Sequence, residues 1–534
     1  MTASGQAEAR SPTPTRKPLN GLQRPRCVLS SQNFHFIRIP TYVWCATFTA
    51  IGGFLFGFDT GSIGPMTTMG TFQSQFASDS TGTITPTVHG LIVSSILITA
   101  SISSAISGPL SDRISRTYTI SLGAVVFAVG SALVCSARKL AQLFVGRCIA
   151  GVGEGLFLSL VTVYAIEISP ASVRGRMGSV LQLFITVGIA CGYFVCYGTS
   201  RFASSLSWRF PAGMQAVVAC ILAIGAPLLP HSPRSLRHVG RAAEADASWS
   251  TLGVNTAFDE KKEENAEWET VPRESFWKDA LQMWNKRVRG RTARSLLDEH
   301  AAGIWYRWRT LSGLPGQQAS FIASGVTGLV NLACTIAAQF FSDTWSRRTS
   351  MISGGSIIAT CMLVIGTLYA TSASDTAAGR WAIIVLIYVF VVAYACTWAI
   401  VTRIIASEIQ PTRTRAAATS FGQCMNWVVN WIIAFTTPLF LAHSSSGPYF
   451  TFGACTLLTT LVCVAFQPET RGASLEEVDK AFEVSPWKAA LIRRGHRKRH
   501  NLEESLEDDG TLTQKQWKPA LEAEGVVLPE MCYK

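Results

Sequence analysis

Long apolar runs alternate with short polar corners along most of this chain. A helix that crosses a bilayer core needs roughly 20 predominantly apolar residues, and such runs lie at 42–64, 88–110, 118–136, 141–167, 178–199 and 212–230. A polar stretch from Arg234 to Arg309 follows, with an acidic run Asp259 to Glu269 and a basic run Lys286 to Arg294. Further apolar runs lie at 317–341, 350–371, 382–406, 416–440 and 448–467, so the second half offers one run fewer than the first. The pattern predicts an all-α polytopic membrane protein. Its parts are a disordered cytosolic N-terminal tail (1–41), a first helix bundle (42–230), a cytosolic linker with a degenerate span (231–316), a second bundle (317–467) and a cytosolic C-terminal tail (468–534).

Charge gives the orientation. Basic residues gather at Arg113 and Arg116, at Arg174 and Arg176, at Arg347 and Arg348, and at Arg413 and Arg415, whereas 64–86 and 443–449 hold no Lys or Arg. The positive-inside rule then puts these corners and both termini in the cytosol and the two uncharged stretches outside. Only 15% of residues are charged against 48% hydrophobic, too little to cover a soluble protein of 534 residues, so most of the chain is expected in lipid. The net charge of +12 is distributed over the corners, with no basic stripe interleaved with aromatics, which argues against a nucleic-acid partner.

The 14 cysteines include Cys45, Cys135, Cys148, Cys191, Cys220, Cys361, Cys396 and Cys463, each single within an apolar run, and no C-x-x-C spacing occurs. They read as packing residues, not as a disulfide frame or a metal site. The first 40 or so residues lack an apolar stretch and a small-residue cleavage site, so no signal peptide is read there. The spans carry no nucleophile and base, metal cluster or phosphate loop, which argues against an enzyme and implies no cofactor.

The two halves repeat each other. Ser111-Asp112-Arg113-Ile114-Ser115-Arg116 recurs as Ser342-Asp343-Thr344-Trp345-Ser346-Arg347-Arg348, and Glu167-Ile168-Ser169-Pro170 with Arg174 recurs as Glu408-Ile409-Gln410-Pro411 with Arg415. Related bundles with matching charged corners suit a transporter that binds its solute between them. Further motifs extend the case: Gly52-Gly53-Phe54-Leu55-Phe56-Gly57-Phe58-Asp59, Arg147 with Gly151, Gly153 and Gly155, Gly108-Pro109-Leu110-Ser111-Asp112-Arg113, Pro230-His231-Ser232-Pro233-Arg234, and the run from Pro468 to Glu477. Their order and spacing over residues 42–485 resemble the sugar porters, fungal type, of the major facilitator superfamily. That resemblance implies two six-helix bundles, a small-molecule solute, often a coupled proton, and a monomer in the plasma membrane.

The resemblance also implies roles. Asp112, Arg113, Arg116, Glu167, Arg174, Asp343, Arg347, Arg348, Glu408, Arg415, Glu469 and Arg471 match a charge network that gates the cytosolic side; the plainer reading is that they set topology. Asp59 and Arg147 match a proton-handling pair, against the alternative of a static buried ion pair. Gln182, Asn331, and Asn426 with Trp427 match sugar-contacting positions, since amides donate to and accept from hydroxyls; interhelical glue is the alternative.

Three departures qualify this picture. Ala399, Ile400 and Arg403 replace a Gly-Pro pair and a Trp in the tenth helix, which removes an expected helix break and puts Arg403 near the solute or in a pair with Glu408. Glu154 is an added acid that either answers Arg403 or extends the proton site. His231 and Ser235 replace a Glu and a Trp of the sixth-span motif. Lastly, Arg294 to Arg309, where a seventh span with a Gln-Gln pair belongs, holds two acids, a His and three Arg and cannot span normally. Gln317 and Gln318 sit at the start of the next helix and do not replace that pair. A frame error or a genuine lesion is the expected cause. The reading is a proton-coupled sugar transporter; the alternatives are an exporter of a specialised metabolite or organic acid, a non-transporting nutrient receptor, or an inactive product.

Overall fold

The computed structural model describes residues 40–77, 84–170, 173–238, 240–253, 317–341, 345–408 and 415–467. Among them every regular element is helical. The first half holds α1 (Thr41–Thr49), α2 (Ile51–Thr68), α3 (Gly70–Phe76), α4 (Pro86–Ile114), α5 (Arg116–Cys135), α6 (Leu140–Glu167), α7 (Arg174–Thr199), α8 (Leu206–Gly225), α9 (Pro233–His238) and α10 (Ala242–Leu252). The second holds α11 (Gln317–Phe341), α12 (Arg347–Ala370), α13 (Ala377–Cys396), α14 (Trp398–Glu408), α15 (Arg415–His443) and α16 (Gly447–Phe466). Ten described stretches are long and apolar enough to cross a bilayer, and Gly325–Phe341 is a shorter apolar helix. The predicted seventh-span interval, the charged runs of the linker and both tails lie outside the described residues.

Local signals fix several helix starts. Thr85 caps α4 by accepting from the Val88 amide, with Pro86 in the first turn, where a missing N–H costs nothing. Ser346 and Thr376 cap α12 and α13 in the same way, accepting from Thr349 and Gly379.

Two elements differ from the sequence expectation. The run expected from 212 begins at Leu206, because Arg209 is accommodated inside the helix. Its guanidinium donates to the carbonyls of Cys135 and Ala137 at 2.5 and 2.7 Å and lies 4.4 Å from the Trp208 ring centre. The second correction concerns the tenth span, where loss of Gly-Pro was expected to remove a break. The helix breaks anyway at Thr397, with φ −122° and ψ −81°. Thr397 Oγ1 donates to the Ala393 carbonyl at 2.6 Å, a back-bond that bends helices. Beyond the break, Trp398 Nε1 donates to the Met351 carbonyl at 2.9 Å and pins α14 to α12.

Glycine sets the distance between the first helices. Gly53, Gly57 and Gly61 lie one turn apart on α2, and a Cβ on any of them would run into the Leu181, Ile185 or Ile189 carbonyl of α7. Gly188 and Gly192 of α7 face the Phe54 and Phe58 carbonyls in return, so the two backbones approach as only small residues allow. On α6, Gly151 and Gly155 meet α4 while Gly146 and Gly153 meet α5, which locks three helices together.

The halves join along two seams, α4 against α15 and α7 against α11. The internal repeat maps α4 onto α11 and α7 onto α15, so it exchanges one seam for the other. Gly325 lies near Tyr193 at one end of the α7–α11 seam, and Gln339 Nε2 donates to the Arg176 carbonyl at 3.0 Å near the other.

Replacing Thr397 by Val keeps the branched shape and removes the hydroxyl. Loss of a hydrogen bond of about 1 kcal/mol is expected to move the bent–continuous equilibrium roughly fivefold toward a continuous helix. Spin-label distances across α13 and α14 report this; an unchanged distribution means the hydroxyl does not hold the break.

Candidate functional site

Two oppositely charged side chains, Asp59 and Arg147, meet inside the first half. Asp59, on α2, is 7% exposed, and Arg147, on α6, is 3% exposed. The guanidinium reaches both carboxylate oxygens, Nη1 to Oδ1 at 3.2 Å and Nη2 to Oδ2 at 3.3 Å, and Nη2 also donates to the Val93 carbonyl at 3.4 Å. Gln215 of α8 donates from Nε2 to Asp59 Oδ1 at 3.5 Å and to Ser62 Oγ at 3.2 Å. Sequence reasoning missed Gln215 and Ser62, because single neutral polar residues in an apolar run look like helix glue. A small cavity lies beside the pair, lined by Asp59, Met66, Ile96, Ser131, Val134, Arg147, Ala150, Ala212 and Gln215. Glu154 stands seven residues along α6 from Arg147, is buried, and is not among that lining.

At one end of the bundle Arg116 is the hub. It is buried, pairs with Asp112 one turn back, lies 3.5 Å from Glu167 of α6, and donates to Ser111 Oγ at 2.6 Å. Three helices are thereby tied at one corner. Arg113 points out and is exposed. Arg347, the repeat partner of Arg116, is likewise buried, and Arg348 donates to the Val464 carbonyl at 2.7 Å. Arg174, Arg403, Glu408 and Arg415 stand on described helices, but their side chains lie outside the described residues, as do Asp343, Glu469 and Arg471 entirely.

The candidate solute contacts lie on the helices that form the seams. Gln182 on α7, Asn331 on α11, and Asn426 and Trp427 on α15 are all buried. With 1.5 Å of rise per residue they stand roughly 12–17 Å from the corner ends of their helices, and Arg147 roughly 30 Å from the corner end of α6. The ion pair and the amides therefore occupy different depths. Neither amide atom of Asn331 has a hydrogen-bond partner among the described residues, nor has Trp427 Nε1. Asn430, also missed from sequence, donates to Asn426 Oδ1 at 2.6 Å. Trp427 packs edge-on against Phe56 of α2, 5.2 Å between ring centres, one turn from Asp59.

Comparison with known proteins follows this geometry. Residues 45–482 match the family described as "Sugar (and other) transporter". The low-affinity glucose transporter HXT4 of Saccharomyces cerevisiae is 30% identical over 474 residues, spanning 83% of this chain and 82% of its own. Sugar transport protein MST7 of Oryza sativa subsp. japonica is 29% identical over 486 residues, spanning 83% and 92%. The proton:xylose symporter XylE bound to 6-bromo-6-deoxy-D-glucose is similar in structure with a TM-score of 0.70 at 24% identity, covering 83% of this chain and 99% of that one. The inward open conformation of the xylose transporter XylE from E. coli gives 0.62 at 22%, covering 82% and 99%. The fold is that of the major facilitators, and the chain, a multi-pass membrane transporter and not an enzyme, belongs to their sugar transporter family.

Proposed function

We propose that this protein is a secondary active transporter that carries a hexose, polyol or related polyhydroxylated solute together with a proton, by alternating access. It works as a monomer in the plasma membrane with both termini in the cytosol, and the bundles 42–230 and 317–467 rock about the two seams. The observation that carries the reading is the Asn331 amide, buried and unpartnered between the halves. An unsatisfied buried polar group costs about 1–3 kcal/mol, and a hydroxylated solute between the seams supplies what it lacks. Trp427, buried on the seam helix α15, offers an apolar face and an unpartnered N–H, the combination that covers a sugar ring.

Asp59 takes the coupled proton. Its partner Arg147 lies within hydrogen-bond distance of both its carboxyl oxygens, and movement of α2 against Trp427 when solute arrives loosens that contact through Phe56. Solute and proton then favour the same state, which is what coupling requires. The Asp112, Arg116 and Glu167 corner, with Arg113, Arg174 and their second-half counterparts, closes the cytosolic side and opens when the bundles rock. A second reading, an organic-acid exporter, is favoured by Arg403 in place of an aromatic residue on α14.

Three measurements test this. Purified protein in vesicles, offered a panel of hexoses, pentoses, polyols and organic acids with an imposed proton gradient, is expected to take up a hydroxylated neutral solute; uptake of acids alone supports the second reading. Asp59→Asn is expected to abolish accumulation against a gradient while exchange persists, and to destabilise the fold by about 3 kcal/mol by leaving Arg147 buried without its counter-charge. A mutant that still concentrates solute rules out Asp59 as the proton carrier. Asn331→Leu is expected to raise KM about tenfold or more with thermal stability unchanged or improved, because it removes an unpaired amide from the empty protein. A fall in stability with KM unchanged would instead mark Asn331 as interhelical glue.

A further inference from the structure

Many buried serines of the first half satisfy themselves, whereas Ser94 and Ser131 have unpartnered hydroxyls among the described residues, and of these two only Ser131 lines the cavity beside Asp59. Ser62, Ser107, Ser111 and Ser159 return their hydroxyls to a carbonyl one turn back, at 2.7–3.2 Å. Ser131, near the C-terminal end of α5 and 2% exposed, does not: its Oγ has no partner among the described residues, and it lines the cavity that holds Asp59, Arg147 and Gln215. The rest of that lining is Met66, Ile96, Val134, Ala150 and Ala212, so four polar side chains from four helices meet in an otherwise apolar chamber. A chamber with space on the scale of one water and several polar groups around it is where buried water resides.

The chamber lies within the first half, among α2, α4, α5, α6 and α8, and not between the halves. It extends from Asp59 away from the Arg116 corner, toward the end where α5 finishes and α8 begins. There Phe72 and Phe76 of α3 pack on Trp208 at 5.5 and 5.4 Å between ring centres, forming an apolar cover. The solute amides on α7, α11 and α15 are absent from its lining.

We propose that this chamber is a water site that relays the proton to Asp59, with Ser131 holding the water and Gln215 orienting the carboxylate. The water accepts a proton arriving from solvent on the covered side. It passes a proton to Asp59: one water O–H bond breaks as the carboxyl O–H forms, Arg147 keeps its proton, and no electrons are exchanged. Ser131 acts through the water and Gln215 through a hydrogen bond, so both are positioning residues. The inference rests on Asp59 being the proton carrier.

Infrared difference spectroscopy on the purified full chain after a pH jump tests it without knowledge of the solute. The probe is the proton itself, read as the carboxyl C=O band that Asp59→Asn removes. Ser131→Ala is expected to slow the appearance of that band about tenfold, the size of one lost hydrogen bond, and Ser131→Thr, which restores a hydroxyl, to recover the rate. Gln215→Leu is expected to move the band's frequency, because the carboxyl loses a donor. If the wild-type protein shows no band that depends on Asp59, the proton reading fails and this inference falls with it. If the band is present but Ser131→Ala forms it at the wild-type rate, the relay alone is overturned. Slow kinetics in both Ser131→Ala and Ser131→Thr would likewise overturn it, since packing and not the hydroxyl would then set the rate.

Discussion

A carboxylate and a guanidinium inside a helical bundle in lipid can persist only together. Moving either alone into a low-dielectric interior is expensive, and removing one partner costs about 3–5 kcal/mol. The Asp59–Arg147 pair therefore constrains everything around it. Asp59 must stay at one depth on α2, and the glycines at Gly53, Gly57 and Gly61 hold α2 to α7 at that depth. Arg147 must stay at one depth on α6, which Gly151, Gly155 and Gly153 fix against α4 and α5. The Val93 carbonyl and the Gln215 amide then complete the coordination from α4 and α8. Four helices contribute to a single ion pair and two more pack on them, and the small residues lie where these backbones are close.

The internal repeat divides labour without dividing architecture. Its exchange of the α4–α15 and α7–α11 seams gives the two halves matching surfaces, so one can rotate on the other without either seam being privileged. The chemistry is not matched. The first half holds the buried Asp59–Arg147 pair, whereas the second half contributes Asn331, Asn426, Asn430 and Trp427 on the seam helices. Phe56 against Trp427 is the contact where these meet. Phe56, one turn from Asp59 on α2, and Trp427 on α15 are thus packed ring to ring.

Much of this was legible in the sequence, for identifiable reasons. All eleven apolar runs coincide with helices, because twenty apolar residues have no other stable state in lipid. Asp59 and Arg147 stood out because charges within such runs are rare and costly. Gln215, Ser62 and Ser131 were not legible: one neutral polar side chain in an apolar helix has the same appearance whether it bonds its own backbone or faces a cavity. The tenth span was misread because breaks were sought only at Gly and Pro, while this one falls at Thr397. The start of α8 was misplaced because Arg209 looked too charged to enter, yet two carbonyls and an indole accommodate it.

The two repeated corners also differ in a way that sequence identity conceals. Ser115 and Ser346 each precede a buried arginine, but Ser346 has ordinary extended backbone, φ −62°, while Ser115 has φ 143° and ψ 155°, a region that suits glycine. A residue held there stores about 1–3 kcal/mol. Ser115 Oγ meets His231 Nδ1 at 2.8 Å, and the His231 ring lies 5.6 Å from that of Tyr118, so the turn is clamped from the segment after α8. The strain offsets part of what Arg116 gains from Asp112 and Glu167. His231, in place of a permanent anion, thus adds a hydrogen bond at a turn that also carries buried Arg116 with Asp112 and Glu167, so ion pairs, backbone strain and a clamp from a distant segment meet at one point.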